Sequence, residues 1–228
     1  MMDMFLTKRS IFMRVSTVFL GCFSLLILSG CMNLPKNSEK YKLFYLKTLP
    51  FSEKERASLH PVKWQLILED PSCDGRLNTD RIVVQTSSAE ITHVSGARWV
   101  DRLPNLIQQL LLNLFENSGQ IKGVGTSLDG LDADYVLLID IRDFELMVRE
   151  SKEVRIRIFG KIMRLKDREI VGAKTFESMV PIPQDSFKEV IDAFLTATNR
   201  VGKEIVIWTL ETPQFPDFPS MEATDESE

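Results

Sequence analysis

The 228-residue chain has little of what usually marks chemistry. Its only histidines are His60 and His93, and neither stands at metal-ligand spacing from another histidine or a cysteine. Its three cysteines, Cys22, Cys31 and Cys73, cannot build a disulfide framework. No Gly-x-Ser-x-Gly elbow occurs. Gly123-Val124-Gly125 opens like a phosphate-cradling turn, but Leu128 stands where a third glycine is needed and no Gly-Lys-Ser follows, so it reads as a loop. Positive charge is not in excess either. Lys and Arg number 28 against 32 Asp and Glu, a net charge of −4, which argues against a nucleic-acid binder. Long apolar runs are missing too: the N-terminal one, Val15 to Leu28, has about 14 residues where a bilayer span needs roughly 20.

That short run is informative in its setting. Lys8, Arg9 and Arg14 precede it, and the small residues Ser29 and Gly30 follow it directly before Cys31. A basic start, a short apolar core and small residues at the cut form a secretory signal. Leu28-Ser29-Gly30-Cys31 resembles a bacterial lipoprotein signal, in which the cysteine thiol takes a thioether-linked lipid and becomes the new N-terminus. An ordinary signal peptide, or an anchoring helix with an incidental Cys31, is the alternative. By resemblance to enterobacterial lipoproteins, Met32 rather than aspartate after Cys31 implies sorting to the outer membrane. Residues 1–30 are thus expected to be removed, which leaves 25 basic and 31 acidic residues and a net charge of −6. Residues 31–40, polar and holding Pro35 and Asn37, read as a tether. With Cys22 removed and Cys31 acylated, Cys73 stands alone, either buried as a small apolar residue or free to pair with another chain.

The folded body is expected over residues 41–210. Tyr41 to Leu46 is a short aromatic strand, and Ser52 to Arg56 a charged loop. Val62 to Leu68 alternates as a strand, and Ile82–Thr86 with Glu90–Val94 suggests a hairpin around Ser87-Ser88-Ala89. Asp101 is a candidate cap for a helix in which Pro104 falls in the first turn. Its apolar face is Leu103, Leu106, Ile107, Leu110, Leu111, Leu114 and Phe115, and Ser118-Gly119 ends it. From Tyr135 to Val148 the inward set changes parity, from Leu137, Ile139 and Ile141 to Phe144, Leu146 and Val148. That requires a β-bulge near Arg142-Asp143. Val154, Ile156, Ile158 and Ile162 oppose Arg155, Arg157 and Lys161, and Glu169–Val180 returns after the Lys166-Asp167-Arg168 turn, an antiparallel meander with one wet face. Ser186 and Glu189 form a capping box for a second helix striped by Phe187, Val190, Ile191, Phe194, Leu195, Val201, Ile205 and Trp208. The expected fold is α/β of the α+β kind: a mixed, largely antiparallel sheet with helices near Asp101–Asn117 and Ser186–Leu210 on one face. Residues 211–228, proline-spaced and acidic, cannot build a core and read as a disordered tail.

Two charged groups need weighing. Asp140, Asp143 and Glu145 are close in sequence, but by strand parity Asp140 should face away from Asp143, and with Arg142 among them they read as an ion-paired strand rather than an acid/base pair. Arg155, Arg157 and Lys161 offer either a basic strip for lipid headgroups or an acidic partner, or a plain wet face.

The order of the segments carries a resemblance. After the lipoprotein signal come Tyr41, Leu43 and Tyr45-Leu46, then Ile82-Val83-Val84, then Arg98-Trp99-Val100-Asp101-Arg102-Leu103-Pro104 opening a leucine-rich helix. Asp134-Tyr135-Val136-Leu137 starts a long strand, and Val190-Ile191-Asp192-Ala193-Phe194 lies in a late helix ending near Trp208. Over roughly Tyr41 to Leu210 this order resembles the ABC-type transport auxiliary lipoprotein family. The resemblance implies a periplasmic domain anchored to the outer membrane, accessory to an intermembrane lipid transport system. The other parts of such a system are an ATPase, a permease and an inner-membrane protein with mammalian-cell-entry (MCE) domains. It implies no catalytic residues and Cys31 as the one functional position, and the sequence motifs add no cofactor and no metal. A phospholipid ligand and a homo-oligomer are compatible with it; nucleic acid is not expected. Arg98 and Trp99 are candidates for an exposed interface anchor, the alternative being that Trp99 plugs the gap between strand and helix. A structural envelope lipoprotein without a part in lipid transfer is the competing reading of the whole.

Overall fold

The structure, a computed structural model, describes residues 41–183 and 186–212. Cys31, the tether expected over 31–40 and most of the tail expected over 211–228 lie outside the described residues. Nine strands form one sheet: β1 (Lys42–Phe44), β2 (Val62–Leu68), β3 (Ser72–Cys73), β4 (Arg81–Gln85), β5 (Ile91–Trp99), β6 (Ile121–Gly125), β7 (Tyr135–Val148), β8 (Lys152–Arg164) and β9 (Ile170–Pro181). The helices are α1 (Glu53–Ala57), α2 (Leu103–Ser118) and α3 (Phe187–Glu211).

β7 is the spine. One of its edges pairs along its whole length with β8, antiparallel, and β8 pairs likewise with β9. Its other edge is shared end to end by three short parallel strands: β2 at Tyr135–Leu137, β3 at Asp140–Ile141 and β4 at Leu146–Met147. β6 extends the β2 end and the β4–β5 hairpin, then β1, extends the other. The two long antiparallel ladders hold most of the paired residues, so the sheet is mixed but largely antiparallel. The expected bulge is present, with the β7–β8 register slipping between Ile141 and Asp143. Leu137, Ile139 and Ile141 before it, and Phe144 and Leu146 after it, thereby all reach the core.

The helices cover one face. Leu103, Ile107, Leu110, Leu111, Leu114 and Phe115 of α2 are buried, as are Val190, Ile191, Phe194, Ala197, Val201 and Ile205 of α3. They meet at Gly202, where a Cβ would stand 2.6 Å from Leu114 Cδ1 and 2.9 Å from Leu110 Cδ2; only glycine lets the two helices come this close. Gly119 caps α2 in the left-handed region at φ 65°. At the start of α3 the Ser186 hydroxyl accepts from Glu189 N.

Four local expectations are corrected. Ser52 to Arg56 is not a loop: Ser52 caps α1, its Oγ accepting from Glu55 N while Glu55 Oε2 accepts from Ser52 N at 2.6 Å. Gly123 to Gly125 belongs to strand β6, paired parallel to β2. Asp101 is not the cap of α2. That position is Arg102, without a side-chain bond, while Asp101 accepts from Arg102 N and from Asn105 Nδ2. The second long helix runs to Glu211, with Thr212 as its cap, into the segment read as tail.

Candidate functional site

Arg98 and Trp99 end β5, and strand alternation sends them to opposite faces. Trp99 is 2% exposed. Its indole stands edge-on to Phe144 of β7 at 5.9 Å and to Phe194 of α3 at 5.4 Å, and those two rings stack on one another at 5.2 Å. The expectation of an exposed Arg–Trp anchor is therefore corrected: Trp99 is the plug between sheet and helix, because the face of β5 that carries Ala97 is the core face. Arg98 stays at the surface. Its Nη1 donates to Asp80 Oδ2 at 3.0 Å and its guanidinium lies 4.0 Å over the ring of Tyr41, the residue before β1, holding the strand edge together. The Asp80 carboxyl is pulled below its ordinary value chiefly by that bond.

The segment leading from β1 is strapped across α3. Asn199, buried in the helix, accepts from Leu49 N at 2.6 Å and donates to Lys47 O at 2.8 Å. One turn further on, Lys203 Nζ reaches Glu55 Oε2 at 3.0 Å and lies 5.2 Å over the Phe51 ring. Bonds from Ser52 N and from the Ser52 side chain, with Lys203 next, hold the Glu55 carboxyl down at about 2. Sequence reasoning missed this strap, although Ser52-x-x-Glu55 has the same capping-box spacing as Ser186-x-x-Glu189. A polar residue at position 199 in an otherwise apolar stripe was the other available signal.

The outer face of the meander is not simply wet. Because of the bulge, Asp140 and Asp143 share that face, contrary to the parity expectation. Arg76, in the loop after β3, folds into the bulge: Nη2 donates to the Arg142 carbonyl at 2.7 Å and to Asp143 Oδ1 at 3.3 Å, Nη1 pairs with Glu145, and Nε with Asp74 at 2.9 Å. It thereby satisfies the carbonyl that the bulge takes out of the ladder. Asp143 also meets Arg157 at 2.6 Å, although the atoms in that contact, Asp143 Oδ2 and Arg157 Nε, make no aligned hydrogen bond. Arg155 bridges to Glu177 at 3.0 Å, and Arg142 to Asp140 at 3.2 Å. Glu145 is 1% exposed, and burial pushes its carboxyl up while Arg76 pulls it back. The cluster is ion-paired, as expected for Asp140, Asp143 and Glu145. It also takes up Arg155 and Arg157, which therefore do not form a free basic strip.

The remaining candidates are dispersed. His60 is exposed and His93 half-buried on β5, the latter's ring held below its usual value by burial and by Arg81. Cys73 is a half-buried free thiol packed against the core, and burial pushes its pKa up. Among the described residues no three His, Cys, Asp or Glu side chains converge as a metal set, and no helix is long and apolar enough to cross a membrane.

Fold and site together define an α+β protein whose polar side chains are engaged in pinning its own segments to a single sheet. The chain belongs to the family of ABC-type transport auxiliary lipoprotein components, which its residues 46–206 match. Membership places it among membrane-associated periplasmic lipoproteins, a family described as auxiliary components of ABC-type transport. The chain is similar to protein XCC0632 of Xanthomonas campestris, whose crystal structure it matches with a TM-score of 0.69 at 26% identity, over 75% of this chain and 95% of that one. The crystal structure of a further uncharacterized protein shares the fold, with a TM-score of 0.58 at 14% identity over 73% of this chain and 97% of the other. An uncharacterized protein of Bradyrhizobium diazoefficiens is 27% identical over 145 residues, 64% of this chain but only 39% of that protein's length.

Proposed function

We propose that the chain is the accessory, docking subunit of an MCE-type ABC system that passes phospholipid-like molecules between the two membranes. In this reading it is held at the outer membrane by a lipid on Cys31 and does no chemistry of its own. The observation that carries the reading is the family match over residues 46–206. It is supported by the Leu28-Ser29-Gly30-Cys31 signal and by Met32 after it. A second support is the way the titratable groups are used: Arg76, Asp143, Glu145, Arg155 and Arg157 serve one another rather than an open cleft. A domain of this kind holds a partner in place. The test is a clean deletion in cells that keep the ATPase, permease and MCE protein. Sensitivity to detergents and membrane-active agents is expected, restored by the intact gene. Normal envelope permeability in the deletion strain would overturn the transport reading and leave a structural lipoprotein.

A further inference from the structure

The start of the folded body has an unusual surface. Strand alternation puts Tyr41, Leu43 and Tyr45 on one side of β1, and the parallel register Leu43↔Arg98 brings Arg98 and Val100 of the neighbouring segment to that same side. Four of these residues are exposed apolar or aromatic groups: Tyr41 at 38%, Leu43 at 64%, Tyr45 at 60% and Val100 at 51%. The opposite side of β1 and β5 is committed to the core through Phe44, Ala97 and Trp99. A continuous apolar patch on an edge strand marks a surface that something covers.

Three observations say what covers it. The first is reach. Tyr41 lies ten positions after Cys31, so even a fully extended chain, at about 3.3–3.6 Å per residue, holds the patch within about 36 Å of the lipid-bearing cysteine. The second is charge. In a chain of net charge −4, the stretch from Lys40 to Phe51 has Lys40, Lys42 and Lys47 and no acidic residue. That is the balance that an anionic headgroup surface attracts and that the rest of the chain would oppose. The third is chemistry. Two tyrosines, a leucine and a valine beside an arginine match the level where apolar tail and polar headgroup meet, at which tyrosine rings concentrate. A partner strand is less favoured as occupant, since β1 offers only three residues to pair with. We propose that this face, Tyr41, Leu43, Tyr45 and Val100, rests on the lipid surface of the bilayer that carries the anchor. The proposal rests on the reading of Cys31 as the lipidated residue.

The test uses the full-length protein processed in cells, purified with its lipid and reconstituted into phosphatidylethanolamine–phosphatidylglycerol vesicles. In a Cys73→Ala background, an environment-sensitive probe is attached to Leu43→Cys or, as a control, to Leu128→Cys, a position 93% exposed in the loop after β6. Incorporation of a fatty-acid analogue on Cys31 is measured first on the same material. With the anchor present, the Leu43 probe is expected to shift to the blue on reconstitution and to lose intensity when the vesicles contain spin-labelled lipid. The Leu128 probe should do neither, and Leu43→Glu with Tyr45→Glu should leave the fold intact. A Leu43 probe that behaves like the Leu128 probe, on protein shown to be lipidated, overturns the proposal while leaving the anchor reading intact. A blue shift without quenching by lipid means that protein covers the patch, and also overturns it. Absence of the fatty-acid label fails the anchor reading and takes this proposal with it.

Discussion

Replacing Trp99 by alanine should cost the protein a large part of its stability, whereas replacing its neighbour Arg98 should not. The indole is 2% exposed and wedged edge-on against Phe144 and Phe194. Truncating a buried tryptophan to alanine costs about 3–5 kcal/mol, the lost transfer energy plus the cavity. The two aromatic contacts contribute roughly 0.5–1.5 kcal/mol each within that figure. For a domain of this size each kcal/mol moves the midpoint by roughly 2–4 °C, so a drop of roughly 6–20 °C is expected. Arg98 forms one half-exposed ion pair with Asp80 and lies over Tyr41, and Arg98→Ala should leave the midpoint close to that of wild type. Thermal melting of the chain lacking the signal, followed by far-ultraviolet circular dichroism, compares the two directly. A double-mutant cycle of Trp99→Ala with Phe194→Ala should show a coupling on the order of 1 kcal/mol. A Trp99→Ala protein that melts within a degree or two of wild type would refute the core placement and return the indole to the surface.

Three other outcomes follow from the same reasoning. Arg76→Met strands Glu145 on a buried face, while Asp143 keeps Arg157, and should cost about 3–5 kcal/mol at neutral pH. Urea titrations should show the loss shrinking as pH falls and Glu145 takes up a proton, and Glu145→Gln should recover much of it; an unchanged Arg76→Met protein would mean the bulge needs no arginine. Glu55, held at about 2 against an ordinary 4.5, contributes stability that is present above 4.5 and is lost as pH falls toward 2. Its side chain is 42% exposed, so Glu55→Gln should flatten that acid limb by less than about 1 kcal/mol, and a steeper limb in the variant would reverse the sign of the argument. Cys31→Ala should abolish fatty-acid labelling and remove the protein from the outer-membrane fraction, and equal label on wild type and variant would end the lipoprotein reading.

Periodic features of the sequence were legible because they act over a few residues. The parity switch between Ile141 and Phe144 located the bulge, the leucine and phenylalanine stripes located α2 and α3, and Ser87-Ser88-Ala89 located the hairpin. The errors came where local and long-range effects competed. Gly123 and Gly125 suggested a loop, yet pairing with β2 makes them an edge strand. The charges of Ser52 to Arg56 suggested a loop, although Ser52 and Glu55 have capping-box spacing, and the Lys203 that ties this turn to α3 lies 148 residues away. Asp140 was placed opposite Asp143 by plain alternation, although the bulge already inferred puts them on one side. Nothing near Arg76 in sequence hints at Glu145, its partner 69 residues on, so the ion-paired clamp was invisible. Trp99 could be read as anchor or plug because alternation gives two faces without saying which is covered. Phe144 and Phe194 decide it, and both are distant in the chain.

Docking of an MCE-type transporter by this lipoprotein is tested most directly by what the protein touches in the envelope. Mild crosslinking of intact cells, followed by purification of the full-length lipidated protein from solubilised membranes, should recover the MCE-domain protein, and with it the ATPase and permease. Recovery of other envelope proteins with none of these three would contradict the claim.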